Sequence, residues 1–163
     1  MHDAYPDKDA WQTECSGGEW GPKFGETLGW MTDKLIIGVA NNWGRGSLTW
    51  NLALDPAHGP HKGGCGDCRG VVTIDPATGS ITRNVEYYVL GHASRFVLPG
   101  AFRLGATKRD AKIEAAAFLN RDGSRVAIIH RVSGAGPLAI ALGGQRYVVQ
   151  LPAGSVATLR WRK

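Results

Sequence analysis

The 163-residue sequence predicts an α+β fold in two parts. Three observations support this. Residues from Trp11 to Leu54 read as strand, helix, strand, which is a βαβ unit. A second helical segment, Glu86 to Val97, is stopped by Pro99-Gly100. From Ala101 onward only short strand-like runs separated by turn sequences occur, the pattern of an antiparallel sheet module. The change of character near Pro99 divides the chain into residues 1–99 and 100–163.

The elements follow in chain order. Ala10 to Glu14 reads as a short strand ending in a polar residue, and Ser16-Gly17-Gly18 breaks it. Phe24, Leu28, Met31, Leu35 and Val39 then recur at the three-to-four spacing of one helix face, a stripe that core packing explains. Asn41-Asn42-Trp43-Gly44 ends that helix, with Gly44 able to take a left-handed terminal conformation. Leu48 to Leu54 is mostly apolar without alternation, as in a buried parallel strand. A Gly-rich loop runs from Asp55 to Gly70. Val71–Ile74 and Ser80–Thr82 flank the turn sequence Asp75-Pro76-Ala77-Thr78-Gly79. In the second part the expected strands are Ile113–Leu119, Arg125–Arg131, Leu138–Leu142, Gln145–Leu151 and Ser155–Trp161. Asp122-Gly123 and Gly143-Gly144 serve as hairpin turns.

Bulk properties remove several classes of function. Hydrophobic residues make up 43% and charged residues 20%, which excludes disorder as the default. Apolar runs such as Val126–Ile129 are far too short to span a bilayer, so no membrane span is expected. Met1 to Pro6 lacks the basic stretch and apolar core of a signal peptide. The net charge is +5, but the basic residues are scattered. Only Lys108-Arg109 and the terminal Arg160, Arg162 and Lys163 lie close together, so nucleic-acid binding is not expected.

Several residues could carry chemistry. Glu14 sits where a strand gives way to a loop, and a carboxylate there can attack an anomeric carbon or handle a proton. A solvated surface Glu would read the same way. Trp50-Asn51 pairs an indole, which packs on the apolar face of a sugar ring, with an amide that bonds hydroxyls. A core Trp is the plainer alternative. His58, His61, Cys65 and Cys68 form His-x2-His-x3-Cys-x2-Cys, a donor set suited to zinc but with pairs closer together than in zinc modules. A Cys65–Cys68 disulfide or two free thiols compete with that reading. Cys15 is left over as a small buried side chain, and His92 and His130 read as packing residues. No Gly-x-Ser-x-Gly elbow and no complete phosphate-binding glycine loop occurs, which removes support for esterase, kinase and nucleotide-dependent readings.

Together these segments resemble a known family. Trp11-Gln12-Thr13-Glu14-Cys15-Ser16-Gly17-Gly18 resembles the nucleophile segment of glycoside hydrolase family thirty, the glucosylceramidase-like enzymes. Trp50-Asn51-Leu52-Ala53-Leu54-Asp55 resembles that family's eighth barrel strand, and His58-Gly59-Pro60-His61 its following Gly-Gly-Pro-Asn loop. Tyr87 to Phe96, followed by Pro99-Gly100-Ala101, resembles its last barrel helix. Asn120 to Ser124 and Leu151 to Trp161 resemble its terminal β-sandwich.

The resemblance implies the last two βα units of a (β/α)8 TIM barrel followed by an antiparallel β-sandwich. It implies a β-glucoside substrate, with Glu14 as the nucleophile that forms a covalent glycosyl-enzyme later hydrolysed with retention. Trp50, Asn51 and His61 would line the sugar pocket, His61 standing where the family usually has Asn. The His/Cys loop becomes a substrate-side loop, which favours the disulfide over zinc, and neither metal nor cofactor is called for. The family's acid/base Glu follows an Asn, yet no Asn-Glu dipeptide occurs here. Without a second carboxyl, leaving-group protonation falls to water, a loss on the order of 10²–10⁴ in rate. Glu19, Glu26 and Asp55 lie nearby in sequence but have no counterpart as the family's acid. A non-catalytic carbohydrate-binding remnant and a zinc-stabilised module are the alternatives. Two barrel strands alone leave open edges and apolar faces, so a homo-oligomer or a complementing chain is expected. Full-length bacterial relatives are often exported, which suits a disulfide.

Overall fold

The computed structural model describes residues 2–107, 110–142 and 144–162. Lys108-Arg109, Lys163 and the Gly143 half of the expected Gly143-Gly144 turn lie outside them. No helix among the described residues is long and apolar enough to cross a membrane.

The first part opens on strand β1 (Ala10–Gln12) and a short arm, β2 (Gly17–Gly18). Helix α1 (Phe24–Met31) runs on through a π-helical stretch, Thr32–Gly38, into α2 (Val39–Asn41). Strand β3 (Gly44–Ser47) returns parallel to β1, in the register Ala10↔Gly44, Trp11↔Gly46 and Gln12↔Ser47, with an irregularity after Ala10. The βαβ unit expected from sequence is therefore present, but its second strand lies earlier than expected. Leu48 to Asn51 is not regular strand. It follows β1 only through single contacts before β4 (Ala53–Leu54) begins a new sheet.

The helix end also differs from expectation. Trp43, not Gly44, adopts positive φ, at 66°. Gly44 is needed for closeness instead, since a Cβ there would stand 2.3 Å from Val39 Cγ1. Trp43 is held in this uncommon conformation by stacking on His2, with centroids 4.1 Å apart, and by the Arg103 guanidinium 4.4 Å from its ring centre.

Strand β5 (Cys68–Arg69) pairs antiparallel with β2. β4 pairs parallel with β6 (Val72–Ile74), which forms a hairpin with β7 (Ile81–Arg83). Asp75 builds the hairpin turn by accepting from the Ala77 amide and the Thr78 hydroxyl, and those bonds hold its carboxyl below the usual range. Helix α3 (Val85–Ser94) packs Val85 and Val89 against Met31 and Leu35.

The second part is β-rich. β8 (Phe102–Leu104), β9 (Ile113–Leu119), β10 (Arg125–Arg131) and β13 (Ser155–Trp161) form one antiparallel sheet in the order β13-β10-β9-β8. β11 (Gly136–Leu142) and β12 (Gln145–Leu151) form a separate hairpin. Strand β10 is buried from Val126 to Arg131, so both of its faces are covered. Val126 and Ile128 point to Ile37, Ala93 and Phe96 of the helical layer. Ala127 and Ile129 point the other way, to Leu138, Ile140 and Trp161. This two-sided burial explains why Val126 to Ile129 is continuously apolar.

Candidate functional site

Glu14 lies two residues beyond the end of β1 and is exposed. Gln12 steadies this point by donating its side-chain amide to the Glu14 carbonyl oxygen at 2.8 Å. The neighbouring chain continues the parallel pairing past β3. The Leu48 amide donates to Gln12 O at 2.9 Å and the Trp50 amide to Cys15 O at 3.0 Å, and Ser16 bridges Trp50. Glu14 and Trp50 therefore both lie just past the carboxyl ends of adjacent parallel strands. Open α/β sheets place their ligands at that edge.

The Trp50 indole is half-exposed. Asn51 contributes its carbonyl oxygen to the Val71 amide at 2.8 Å, while its side-chain Oδ1 is buried without a protein partner, as is Thr49 Oγ1. Trp50 thus offers an apolar ring, while the Asn51 amide oxygen is enclosed without a hydrogen-bond partner among the described residues.

His61 is exposed on the following loop. Asp55 organises the start of that loop. Its Oδ1 accepts from the Ala57 and Gly59 amides, both at 2.8 Å, and its own amide donates to Gly59 O at 2.7 Å. Cys65 and Cys68 are joined to each other. Their sulphurs are therefore not thiolates free to hold zinc. His58 Nδ1 lies 3.0 Å from the Cys68 carbonyl oxygen, and among the described residues no three His, Cys, Asp or Glu side chains gather as a metal set.

Three of the carboxylates near Glu14 in sequence are already engaged. Glu26 pairs with Lys23 at 2.8 Å, Glu19 lies 3.4 Å from Arg69 Nη1, and Asp55 serves its own loop. Beside Ser16 and Gly17 a cavity of about 280 Å³ opens between the half-exposed indoles of Trp20 and Trp30. The Trp20 ring rests on Gly18, where a Cβ would stand 2.0 Å from the ring. Free Cys15 is half-buried, and that burial pushes its thiol up despite a hydrogen bond from the Ser16 backbone.

Sequence reading did not single out Arg69 and Glu86. Glu86 is fully buried, and Arg69 reaches it from β5. The available signal was a carboxylate in the first turn of a helix whose neighbours Val85 and Val89 are core residues.

Comparison with known proteins gives consistent results. Residues 100–159 match the model for the "Glycosyl hydrolase family 30 beta sandwich domain". The chain is 33% identical to the endo-1,6-beta-D-glucanase BGN16.3 of Trichoderma harzianum, over 97% of this chain and 32% of that protein. It is 29% identical to putative glucosylceramidase 2 of Caenorhabditis elegans, over 97% of this chain and 32% of the other. Among solved structures it superposes on the endo-beta1,6-glucanase BT3312 with TM-score 0.86 and 32% identity, covering 99% of this chain and 37% of that one. It also superposes on SrfJ from Salmonella typhimurium with TM-score 0.89 and 25% identity, at the same coverages. The chain spans about a third of the length of the relatives it matches.

Proposed function

Proceeding from its place in glycoside hydrolase family 30, whose members it matches over their C-terminal portion, we propose that this chain carries the nucleophile side of a retaining β-glucoside hydrolase. The observation that carries the reading is that Glu14 and Trp50 both lie just past the carboxyl edge of the parallel β1–β3 pair, where Trp50 bridges Ser16. In this reading β1, α1 and β3, with the segment through Trp50 and helix α3, are the last two βα units of a (β/α)8 barrel. Residues 100–163 are its β-sandwich.

A carboxylate oxygen of Glu14 attacks the anomeric carbon while the glycosidic C–O bond breaks, and the departing oxygen takes a proton from a general acid. Water then attacks the same carbon and Glu14 leaves as carboxylate, restoring the starting configuration. Trp50 supplies the platform under the sugar ring, and Asn51 and His61 supply polar contacts around it. The Cys65–Cys68 bridge shapes the loop that bears His61. No residue here matches the family's acid/base, and Glu19, Glu26 and Asp55 are engaged elsewhere. The proton donor is therefore assigned to a group outside these 163 residues. Three relatives named as endo-1,6-β-glucanases, at 31–33% identity, make β-1,6-glucan the favoured substrate over glucosylceramide-like lipids.

Hydrolysis of 2,4-dinitrophenyl β-glucoside tests the reading, because this leaving group departs without protonation. Release of the phenolate by the wild-type chain, reduced on the order of 10⁴-fold in Glu14→Gln, is expected. Retained sugar binding with no release from either protein would move the assignment to a carbohydrate-binding remnant.

A further inference from the structure

The segment that follows Glu14 is held by a buried ion pair. Arg69 and Gly17 are register partners in the β2–β5 ladder, so the Arg69 side chain starts directly opposite the arm. Its guanidinium then makes four contacts. Nε and Nη2 donate to Glu86 Oε1 at 3.5 and 3.4 Å, Nη1 to Glu19 Oε1 at 3.4 Å, and Nη2 to the Gly21 carbonyl oxygen at 3.3 Å. Arg69 is largely buried and the Glu86 side chain is completely so. Glu86 Oε1 also lies against the Gly17 backbone, where a Cβ would approach it to 1.8 Å. Gly21 O accepts in turn from Thr27 Oγ1 at 2.9 Å, and the Glu19 amide donates to Asp67 O at 3.0 Å.

We propose that Arg69 and Glu86 are positioning residues that clamp Gly17–Gly21 and so fix the direction in which the chain leaves Glu14; the link to the reaction rests on the reading of Glu14 given above. A buried pair is a poor device for stability alone, since an apolar pair of similar volume often does as well. A pair whose cation also bonds two points of one loop fixes geometry. Only the planar fork of arginine bridges Glu86, Glu19 and Gly21 O at once, and a lysine ammonium would act as a single point charge. Glu86 lies in the first turn of α3, where the helix end favours an anion, and its Oε2 has no protein partner. Burial pushes the Glu86 carboxyl up, opposed by a hydrogen bond from its own backbone amide and then by Arg69. The arrangement therefore depends on Arg69 remaining in place.

The test compares the wild-type chain with Glu86→Gln and Arg69→Lys, which preserve side-chain volume, by amide hydrogen exchange and by labelling with 2,4-dinitrophenyl 2-deoxy-2-fluoro-β-glucoside. Exchange at Gly17, Gly18, Glu19 and Gly21 is expected to quicken roughly tenfold or more in both variants, while the β10 amides keep their wild-type rates. The labelling rate constant is expected to fall about tenfold with half-saturation unchanged. Unchanged exchange at residues 17–21 would overturn the proposal. So would an equal rise at β10, which would mean general destabilisation. If the wild-type chain takes no label, the reading of Glu14 fails, and the exchange result alone decides whether the pair clamps the arm.

Discussion

Glu14 stands out in the sequence through the resemblance of Trp11 to Gly18 to a nucleophile segment, since a solvated surface Glu at a strand end would read the same way. What surrounds it is less legible. Gly17 looks like a loop glycine, yet its role is to admit the Glu86 carboxylate to within contact of the backbone. Nothing between residues 17 and 86 announces that meeting, because it depends on the β2–β5 register and the start of α3 together. Gly17→Ala should therefore lower stability by about 1–3 kcal/mol through overcrowding, measured by denaturant unfolding. Gly63→Ala has open space, though at positive φ, and should cost less. A larger effect at Gly63 than at Gly17 would show that the close approach is not what Gly17 is for.

Among the elements, the β9–β10 turn was readable and its chemistry can be tested. Asn120 is buried and bonds in three directions, to the Leu98 amide, the Phe96 carbonyl oxygen and Ser124 Oγ, all at 2.9 Å. Asn120→Ala strands the Leu98 amide and should cost about 1–3 kcal/mol in unfolding experiments. Asp122 is held well below the usual carboxylate range, first by the Ser124 hydroxyl and amide and then by Arg162 and Arg160. The folded carboxyl is thus the stronger acid, and the unfolded chain binds more protons in the acid range. Its contribution is complete above the unfolded value of about 4 and fades as pH falls below it. Melting temperatures of wild type and Asp122→Asn should differ at pH 7 and converge toward pH 2. A constant gap across that range would contradict this assignment. Strand β3 was misplaced in the sequence reading for a comparable reason. Apolar content favoured Leu48–Leu54, but the parallel pairing with β1 is made by backbone at Gly44–Ser47, where small residues admit the Trp11 ring against Gly46.

At the scale of the whole molecule, β10 joins the two parts. Its upper face receives the helical layer and its lower face the β11–β12 hairpin. His130, read from sequence as a structural residue, reaches across this junction. Its Nδ1 lies 2.8 Å from Asp33 Oδ2, and its ring sits where a Cβ on Gly29 would meet Nε2 at 2.5 Å. Ile128→Ala at the junction should cost about 2–5 kcal/mol, seen as a loss in denaturant midpoint. The two-part organisation was visible because helical periodicity gives way to short runs and turns near residue 100. The tie between the parts was not, since it joins residues 97 positions apart.

The most direct measurement is mass spectrometry of the chain after exposure to 2,4-dinitrophenyl 2-deoxy-2-fluoro-β-glucoside. The account predicts one fluoroglucosyl group esterified to Glu14 and none on Glu14→Gln. A label on another carboxylate, or one that persists in Glu14→Gln, would contradict it.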